Sequence, residues 1–149
     1  MQRTEFPGNL DSLRPIGEYI LAAAKTAGLE KKKAYGLRLA MDEVATNIIT
    51  HGYDENGKSG SIIISGEVTE RELILVLEDT APPFDPRSLL SPEEKDLKRP
   101  LEERNVGGLG VFLAFKALDR FDYQHTGTHN RNVFVMHRPQ PAGTPHALP

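Results

Sequence analysis

The sequence predicts an α+β domain in which helices and β-strands form two separate layers. The chain has 149 residues, which is enough for one domain of ordinary size and too few for two. Apolar residues follow a strand-like pattern in some segments and a helical pattern in others, in the order β, α, α, β, β, α, β, β. Because strands and helices are grouped rather than strictly alternating, the order favours a two-layer sandwich with a mixed, mostly antiparallel sheet and three main helices on one face.

The chain begins with a predicted strand and helix. We expect a strand at residues 2–6 and a helix at residues 10–27. Asn9 or Asp11 is placed to cap the start of this helix, and Gly28 to end it.

A second helix and a hairpin follow. Residues 29–51 are predicted to be helical, with Gly52 as the end, because apolar residues recur at steps of four, three and four. Residues 61–68 and 72–78 are rich in Ile, Val and Leu and flank a short polar turn, which predicts an antiparallel hairpin. The apolar stripe of the helix consists of Leu37, Met41, Val44 and Ile48.

The last third is divided by a charged loop. Residues 87–106 are rich in charges and interrupted by proline, so we expect a mobile surface loop. A buried helix at residues 109–118 and strands at residues 120–124 and 132–137 are predicted to complete a domain at residues 1–138. The proline-rich residues 139–149 have little to bury and are predicted to be disordered.

Composition excludes several functional classes. There are 18 basic and 21 acidic residues, a net charge of -3, and no long basic block, so nucleic acid is not expected as a partner. No apolar run approaches the length of a membrane span, and none resembles a signal peptide. The absence of cysteine fits a reducing compartment, and we therefore expect a cytoplasmic protein.

The second predicted helix carries a polar stripe beside its apolar one. Glu43, Asn47 and Thr50 are spaced by four and three residues, so they share one face. A carboxylate there could act as a general base, and an amide oxygen could bind a hard cation such as Mg²⁺. The alternative is an ordinary solvated helix face.

A second candidate lies at the end of the third predicted strand. Asp79 follows an apolar run and precedes Ala81, two prolines and Phe84. A carboxylate at this point could accept a hydrogen bond from a ligand donor such as the amine of adenine, with the stiff segment as a pocket wall. The alternative is that Asp79 caps a turn.

Glycines before the third helix indicate phosphate binding. Gly107, Gly108 and Gly110 let backbone N–H groups approach an anion closely at a helix N-terminus. A hinge is the alternative, and the spacing does not fit a dinucleotide fingerprint. Residues 52–59 match the letters of a P-loop, but a helix precedes them and a strand follows, the reverse of what a P-loop requires.

Together these motifs resemble the N, G1 and G2 boxes of the GHKL ATPases, and more narrowly the bacterial anti-sigma-factor serine/threonine kinases. The resemblance covers about residues 3–137 and implies a Bergerat ATP-binding sandwich with residues 87–106 as its lid. It rests on Glu43, Asn47, His51 and Tyr53, then on Asp79 to Asp85, then on the glycine cluster. One position departs from the pattern: Ala81 stands where the G1 box usually has glycine.

The resemblance implies a role for each motif residue. It makes Glu43 the base that activates the substrate hydroxyl and Asn47 the Mg²⁺ ligand. It assigns adenine recognition to Asp79, with Ala81 and Phe84 in the same pocket. The phosphate cradle would be formed by Gly107, Gly108 and Gly110, with Arg104 placed to reach a phosphate.

The function that the resemblance implies is an ATP- and Mg²⁺-dependent protein kinase in a partner-switching pathway. Its substrate would be a STAS-domain anti-sigma antagonist, and a sigma factor and a homodimer remain open as further partners. Two alternatives are a binding module of the same fold that uses nucleotide without catalysis, and a P-loop NTPase.

Overall fold

The structure is a computed structural model, and it describes residues 2–89 and 114–140. Five strands form one sheet and two α-helices pack on it. The strands are β1 (Thr4–Pro7), β2 (Ser61–Val68), β3 (Glu72–Asp79), β4 (Arg120–His125) and β5 (Asn130–His137), and the helices are α1 (Leu13–Ala27) and α2 (Lys31–Asn47). Single 3₁₀ turns occur at Leu10–Ser12 and Pro86–Leu89, and a π-helical segment at Ile48–Asp54.

The sheet has the order β1-β2-β3-β5-β4, and its four pairings are all antiparallel. β2 and β3 form the predicted hairpin. β5 begins at Asn130, two residues earlier than predicted, and it pairs with β3 so that Asn130 lies opposite Asp79. This non-local pairing brings polar residues of two strands to one end of the sheet.

The core lies between one face of the sheet and both helices. Ile16 and Ile20 of α1, with Leu37 and Met41 of α2, are at most 1% exposed. They pack in one cluster with alternate residues of the three central strands, as expected for a sheet with one buried face. The strand residues of this cluster are Ile62, Ile64, Leu73, Leu75, Leu77, Phe134 and Met136. The predicted α+β two-layer class is therefore confirmed.

Gly28 ends α1 as predicted, whereas Asn9 caps the 3₁₀ turn Leu10–Ser12 and not α1, which begins at Leu13 with no side-chain cap. The Asn9 side chain accepts a hydrogen bond from the Asp11 N–H, and Gly28 ends α1 with a φ of 78°. Gly52, however, does not end the second helix. The α-helix α2 ends at Asn47, and the π-helical segment that follows it runs through Gly52. The prediction was wrong because Gly52 permits a close contact, described below, rather than a turn.

Tyr53 anchors the π-helical segment. Its ring fills the space between Gly8 and Gly60, where an added Cβ on either glycine would lie 2.7 Å from a ring carbon. Its hydroxyl donates to the Ser61 carbonyl at 2.8 Å and accepts from the Thr80 N–H at 3.0 Å. Tyr53 thus joins this segment to the start of β2 and to the exit of β3.

The fold also decides against the P-loop. Residues 52–59 begin inside the π-helical segment and lead into β2, so no described strand leads directly into them and no described helix follows them directly. No helix within residues 2–89 and 114–140 combines the length and apolar character needed to cross a bilayer.

Several predicted features lie outside the described residues. These are the greater part of the lid, residues 109–113 of the third helix, residues 141–149, and the phosphate-binding candidates Arg104, Gly107, Gly108 and Gly110. Their assignments stay predictions. The described part of the third helix ends at Phe115 and not at Leu118 as predicted, because a turn follows at residues 116–117.

Candidate functional site

A cavity of about 430 Å³ opens between the C-terminal part of α2, the π-helical segment and the exit of β3. This is within the usual range of small-molecule sites, roughly 300–1,000 Å³. The wall is largely apolar, with a few polar groups at one end. It is lined by Val44, Asn47, Ile48, His51, Gly52, Asn56, Asp79, Ala81, Pro82, Pro83, Phe84, Pro86, Asn130 and Asn132.

Asp79 is the main polar group of this cavity. Its side chain is buried, and Oδ1 accepts hydrogen bonds from the Ala81 N–H and from Asn130 Nδ2, both at 2.9 Å. Oδ2 is buried as well and has no partner within the described ranges. Asp79 therefore both caps a turn and leaves a strong acceptor free for a ligand. An unpaired buried carboxylate oxygen is costly, so a ligand donor is the natural partner.

The pKa of Asp79 reflects its burial and its two hydrogen bonds. Burial raises the pKa of the Asp79 carboxyl, and the hydrogen bonds from Asn130 and from Ala81 partly offset that rise. The side chains of His125 and His129 also lower this pKa slightly. A donor on a ligand would stabilise the ionised form further, because it would pair the free oxygen.

Asn130 holds the loop after β3 in place, a role that the sequence did not reveal. Its Nδ2 donates to Asp79 Oδ1 and to the Ala81 carbonyl at 2.9 Å, and its Oδ1 accepts from the Phe84 N–H at 3.1 Å. The Tyr123 hydroxyl donates to the same oxygen. Asn130 thereby fixes the wall that carries Ala81 and Phe84.

Asn132 is the second cavity residue that sequence reasoning missed. It is 1% exposed; Nδ2 donates to the Leu77 carbonyl at 3.3 Å, and Oδ1 has no partner within the described ranges. Asn130 and Asn132 are two residues apart on β5 and so face the same side of the sheet. Two asparagines at inward positions of an apolar strand were the available signal, because buried amides require partners.

The contact between Gly52 and Ala81 explains the departure from the usual G1 box. Ala81 is 5% exposed, and a Cβ added to Gly52 would lie 2.7 Å from the Ala81 Cβ. One methyl group therefore fills this contact, and it belongs to Ala81. The spacing of the two cavity walls depends on that single methyl.

This contact gives a testable prediction. Gly52→Ala is expected to push the two walls apart and weaken Mg-ATP binding by about tenfold, roughly the effect of overpacking a tight contact. Moving the methyl, in the double variant Gly52→Ala with Ala81→Gly, should restore the affinity. Titration calorimetry on the parent, on Gly52→Ala and on the double variant measures this. A double variant as weak as Gly52→Ala would refute the paired contact.

Asn47 and Glu43 occupy neighbouring positions on α2. Asn47 lines the cavity, and its Nδ2 is buried without a partner within the described ranges. Glu43 is one turn earlier, partly exposed, and is not one of the cavity-lining residues. Burial, and then the charge of Asp42, raise the pKa of the Glu43 carboxyl, which suits a general base. Glu43 therefore lies one helical turn from a cavity-lining residue and does not itself line the cavity.

The residues present fit a magnesium ion that is bound mainly by a nucleotide. Within residues 2–89 and 114–140 no group of three or more His, Asp or Glu residues could hold a metal. One terminal atom of the Asn47 side-chain amide has no hydrogen-bond partner among the described residues. A 180° flip of this amide exchanges its nitrogen and oxygen, and the oxygen is the atom that would bind the metal. Mg²⁺ often takes few protein ligands and completes its shell with phosphates and water.

Comparison with known proteins shows the family. Residues 6–137 match the model of the family described as "Histidine kinase-like ATPase domain". The chain belongs to this family, which confirms the GHKL resemblance.

Relatives are found at modest identity. The chain is 32% identical over 94 residues to "Serine-protein kinase RsbW" of Staphylococcus aureus (strain JH9), and equally to that of strain Newman. The match covers 60% of this chain, and the chain spans only 58% of the length of those relatives.

Solved structures support the fold. The histidine kinase domain of a blue-light activated histidine kinase from Erythrobacter litoralis EL346 aligns with a TM-score of 0.52 at 18% identity, over 85% of this chain and 59% of that one. The Acinetobacter baumannii histidine kinase AdeS aligns with a TM-score of 0.51 at 15% identity, over 94% and 69%.

Proposed function

We propose that this chain is an ATP- and Mg²⁺-dependent serine/threonine protein kinase of the anti-sigma-factor type. The observation that carries the proposal is the free, buried Oδ2 of Asp79 in a cavity that Asn47 also lines. The adenine amine would donate to Asp79, and the flat base would lie between Ile48 and the wall of Ala81 and Phe84. The phosphates would then extend past Asn47 toward the glycines at 107, 108 and 110.

The transfer step needs little beyond positioning and charge neutralisation. The substrate hydroxyl oxygen attacks the γ-phosphorus while Glu43 takes the hydroxyl proton, and the bond from the γ-phosphorus to the bridging oxygen breaks to leave ADP. Bound Mg²⁺ would neutralise developing charge on the phosphates, with Asn47 as its protein ligand. The position of Glu43 one helical turn, about 6 Å, from Asn47 supports this role.

The proposed substrate is a STAS-domain anti-sigma antagonist in a partner-switching pathway in the cytoplasm. Similarity to serine-protein kinase RsbW supports this assignment, as do the motifs shared with anti-sigma-factor kinases. A sigma factor and a second copy of the chain are further partners of the same proposal. Nucleic acid and membrane are not part of it, in keeping with the net charge of -3.

One observation favours a second candidate, a module that binds nucleotide without catalysis. Glu43 is not among the residues that line the cavity, so the proposed base would have to act from outside that lining. In the module, nucleotide would only change the affinity for a partner. Transfer of phosphate separates the two functions.

The experiment is transfer of labelled γ-phosphate from Mg-ATP to each STAS-domain protein of the source cell, purified singly. We expect label on serine or threonine of one such protein, loss of nucleotide affinity and of label with Asn47→Ala, and no change with Lys58→Ala. Lys58 serves as control because it is the lysine of the apparent P-loop. Nucleotide binding with no label on any STAS-domain protein would contradict the kinase and favour the module.

A further inference from the structure

One row of side chains on α2 leads from the cavity to an exposed surface. Asn47, Glu43, Leu39 and Tyr35 succeed one another at steps of four residues. Each step advances about 6 Å along the helix and turns it by only about 40°, so the four residues form one continuous ridge. The ridge begins at the cavity with Asn47 and passes through the proposed base Glu43.

The far half of this ridge is apolar and open to solvent. Tyr35 and Leu39 are each 50% exposed, and they are two of the four large hydrophobic residues that the described part of the chain exposes. The core side of the same helix is well packed, with Leu37 and Met41 fully buried. Tyr35 and Leu39 therefore contribute little to the core.

The first turn of α2 adds positive charge next to this apolar surface. Lys31, Lys32 and Lys33 occupy its first turn, where the helix dipole favours acidic residues, and no acidic residue is present there. None of these lysines takes part in an ion pair between described residues. Because they oppose the dipole and stand outside the ion pairs of the described residues, these lysines form a basic end to the apolar ridge.

We propose that Tyr35 and Leu39 form the docking ridge for the protein substrate, with the lysines of the first turn as its charged end. This rests on the proposed function, because it is the acceptor hydroxyl at Glu43 that sets the direction of approach. A substrate that approaches Glu43 along α2 covers Leu39 and then Tyr35, the exposed residues of the next two turns. The fitting partner presents an apolar side chain about 6–12 Å from its acceptor hydroxyl, and acidic residues beyond it.

The test compares Leu39→Gln and Tyr35→Gln with Leu10→Gln. Leu10 is a matched control because it is 54% exposed but lies in the turn before α1. Glutamine favours helix and removes apolar contact area. With the STAS-domain protein that takes label from the parent, we expect each α2 variant to raise KM for that protein about tenfold. The kcat and the affinity for Mg-ATP of the α2 variants should equal those of the parent. Leu10→Gln should have the KM of the parent.

A charge variant tests the basic end separately. Lys32→Glu should raise the same KM and remove part of its dependence on salt, since exposed opposite charges attract less at high ionic strength. An unchanged KM in both Leu39→Gln and Tyr35→Gln would overturn the proposal. So would a loss of Mg-ATP affinity in these variants, or a change in oligomeric state, because the ridge would then serve the nucleotide site or a second copy.

A binding arm distinguishes failure of docking from failure of the kinase. Each STAS-domain protein is titrated with the chain in the presence of a non-hydrolysable ATP analogue. Binding that Leu39→Gln weakens and Leu10→Gln preserves would support the docking ridge even where no label is transferred. Binding that both variants preserve would overturn the ridge alone, and no binding by the parent would overturn both proposals.

Discussion

Glu43→Gln is expected to lower transfer of phosphate to the partner protein by roughly 10²- to 10⁴-fold, the usual contribution of a general base. Glutamine keeps the size of the side chain and favours helix, so α2 and the affinity for Mg-ATP should persist. Labelled-phosphate transfer and calorimetry on the same preparation measure the two quantities. Full transfer by Glu43→Gln would remove the proposed base.

Asp42→Asn is the matched control for this change. Asp42 is the neighbouring carboxylate, it is also partly exposed, and burial raises its pKa as well, but it points about 100° away from Glu43. We expect Asp42→Asn to retain transfer. Because the pKa of Glu43 is raised, transfer by the parent should fall as pH drops through that pKa and the base becomes protonated.

Asp79→Asn is expected to abolish most of the thermal stabilisation that Mg-ATP gives. A ligand at 100 times its Kd adds about 2.7 kcal/mol to the native state. The substitution replaces the free Oδ2 acceptor by a donor that faces the donor amine of adenine. Thermal unfolding with and without Mg-ATP measures this shift. A variant stabilised as much as the parent would contradict the adenine assignment.

The same variant should not destabilise the nucleotide-free protein. The raised pKa of Asp79 means that its ionised form is disfavoured in the fold, so this group favours folding at low pH and loses that effect as pH rises through the raised pKa. Asp79→Asn removes the buried charge while its Oδ1 can still accept from Ala81 and Asn130. We expect an equal or higher Tm without nucleotide. A markedly lower Tm would indicate that Asp79 mainly stabilises the fold.

The strands could be predicted from the sequence because their apolar patterns are local. The segment from Ser61 to Asp79 contains two Ile-, Val- and Leu-rich runs around a polar turn, and the structure pairs them as a hairpin. Asp79 was found for the same reason, as a carboxylate at the end of an apolar run.

The partners of Asp79 could not be predicted locally. Asn130 is 51 residues further along the chain, and it meets Asp79 only through the pairing of β3 with β5. Gly52 was misassigned as a helix end because glycine serves both turns and close contacts. Only the position of Ala81 in three dimensions distinguishes these roles.

Titration of the parent chain with Mg-ATP and with Mg-GTP tests the central claim most directly. The free Oδ2 of Asp79 can accept from the amine of adenine, whereas guanine would present a carbonyl oxygen at that place, so two acceptors would face each other. Sites built around one hydrogen-bonded group discriminate strongly, and we expect ATP to bind about 10²-fold or more tightly than GTP. Equal affinity for the two nucleotides, or no affinity for ATP, would contradict the account.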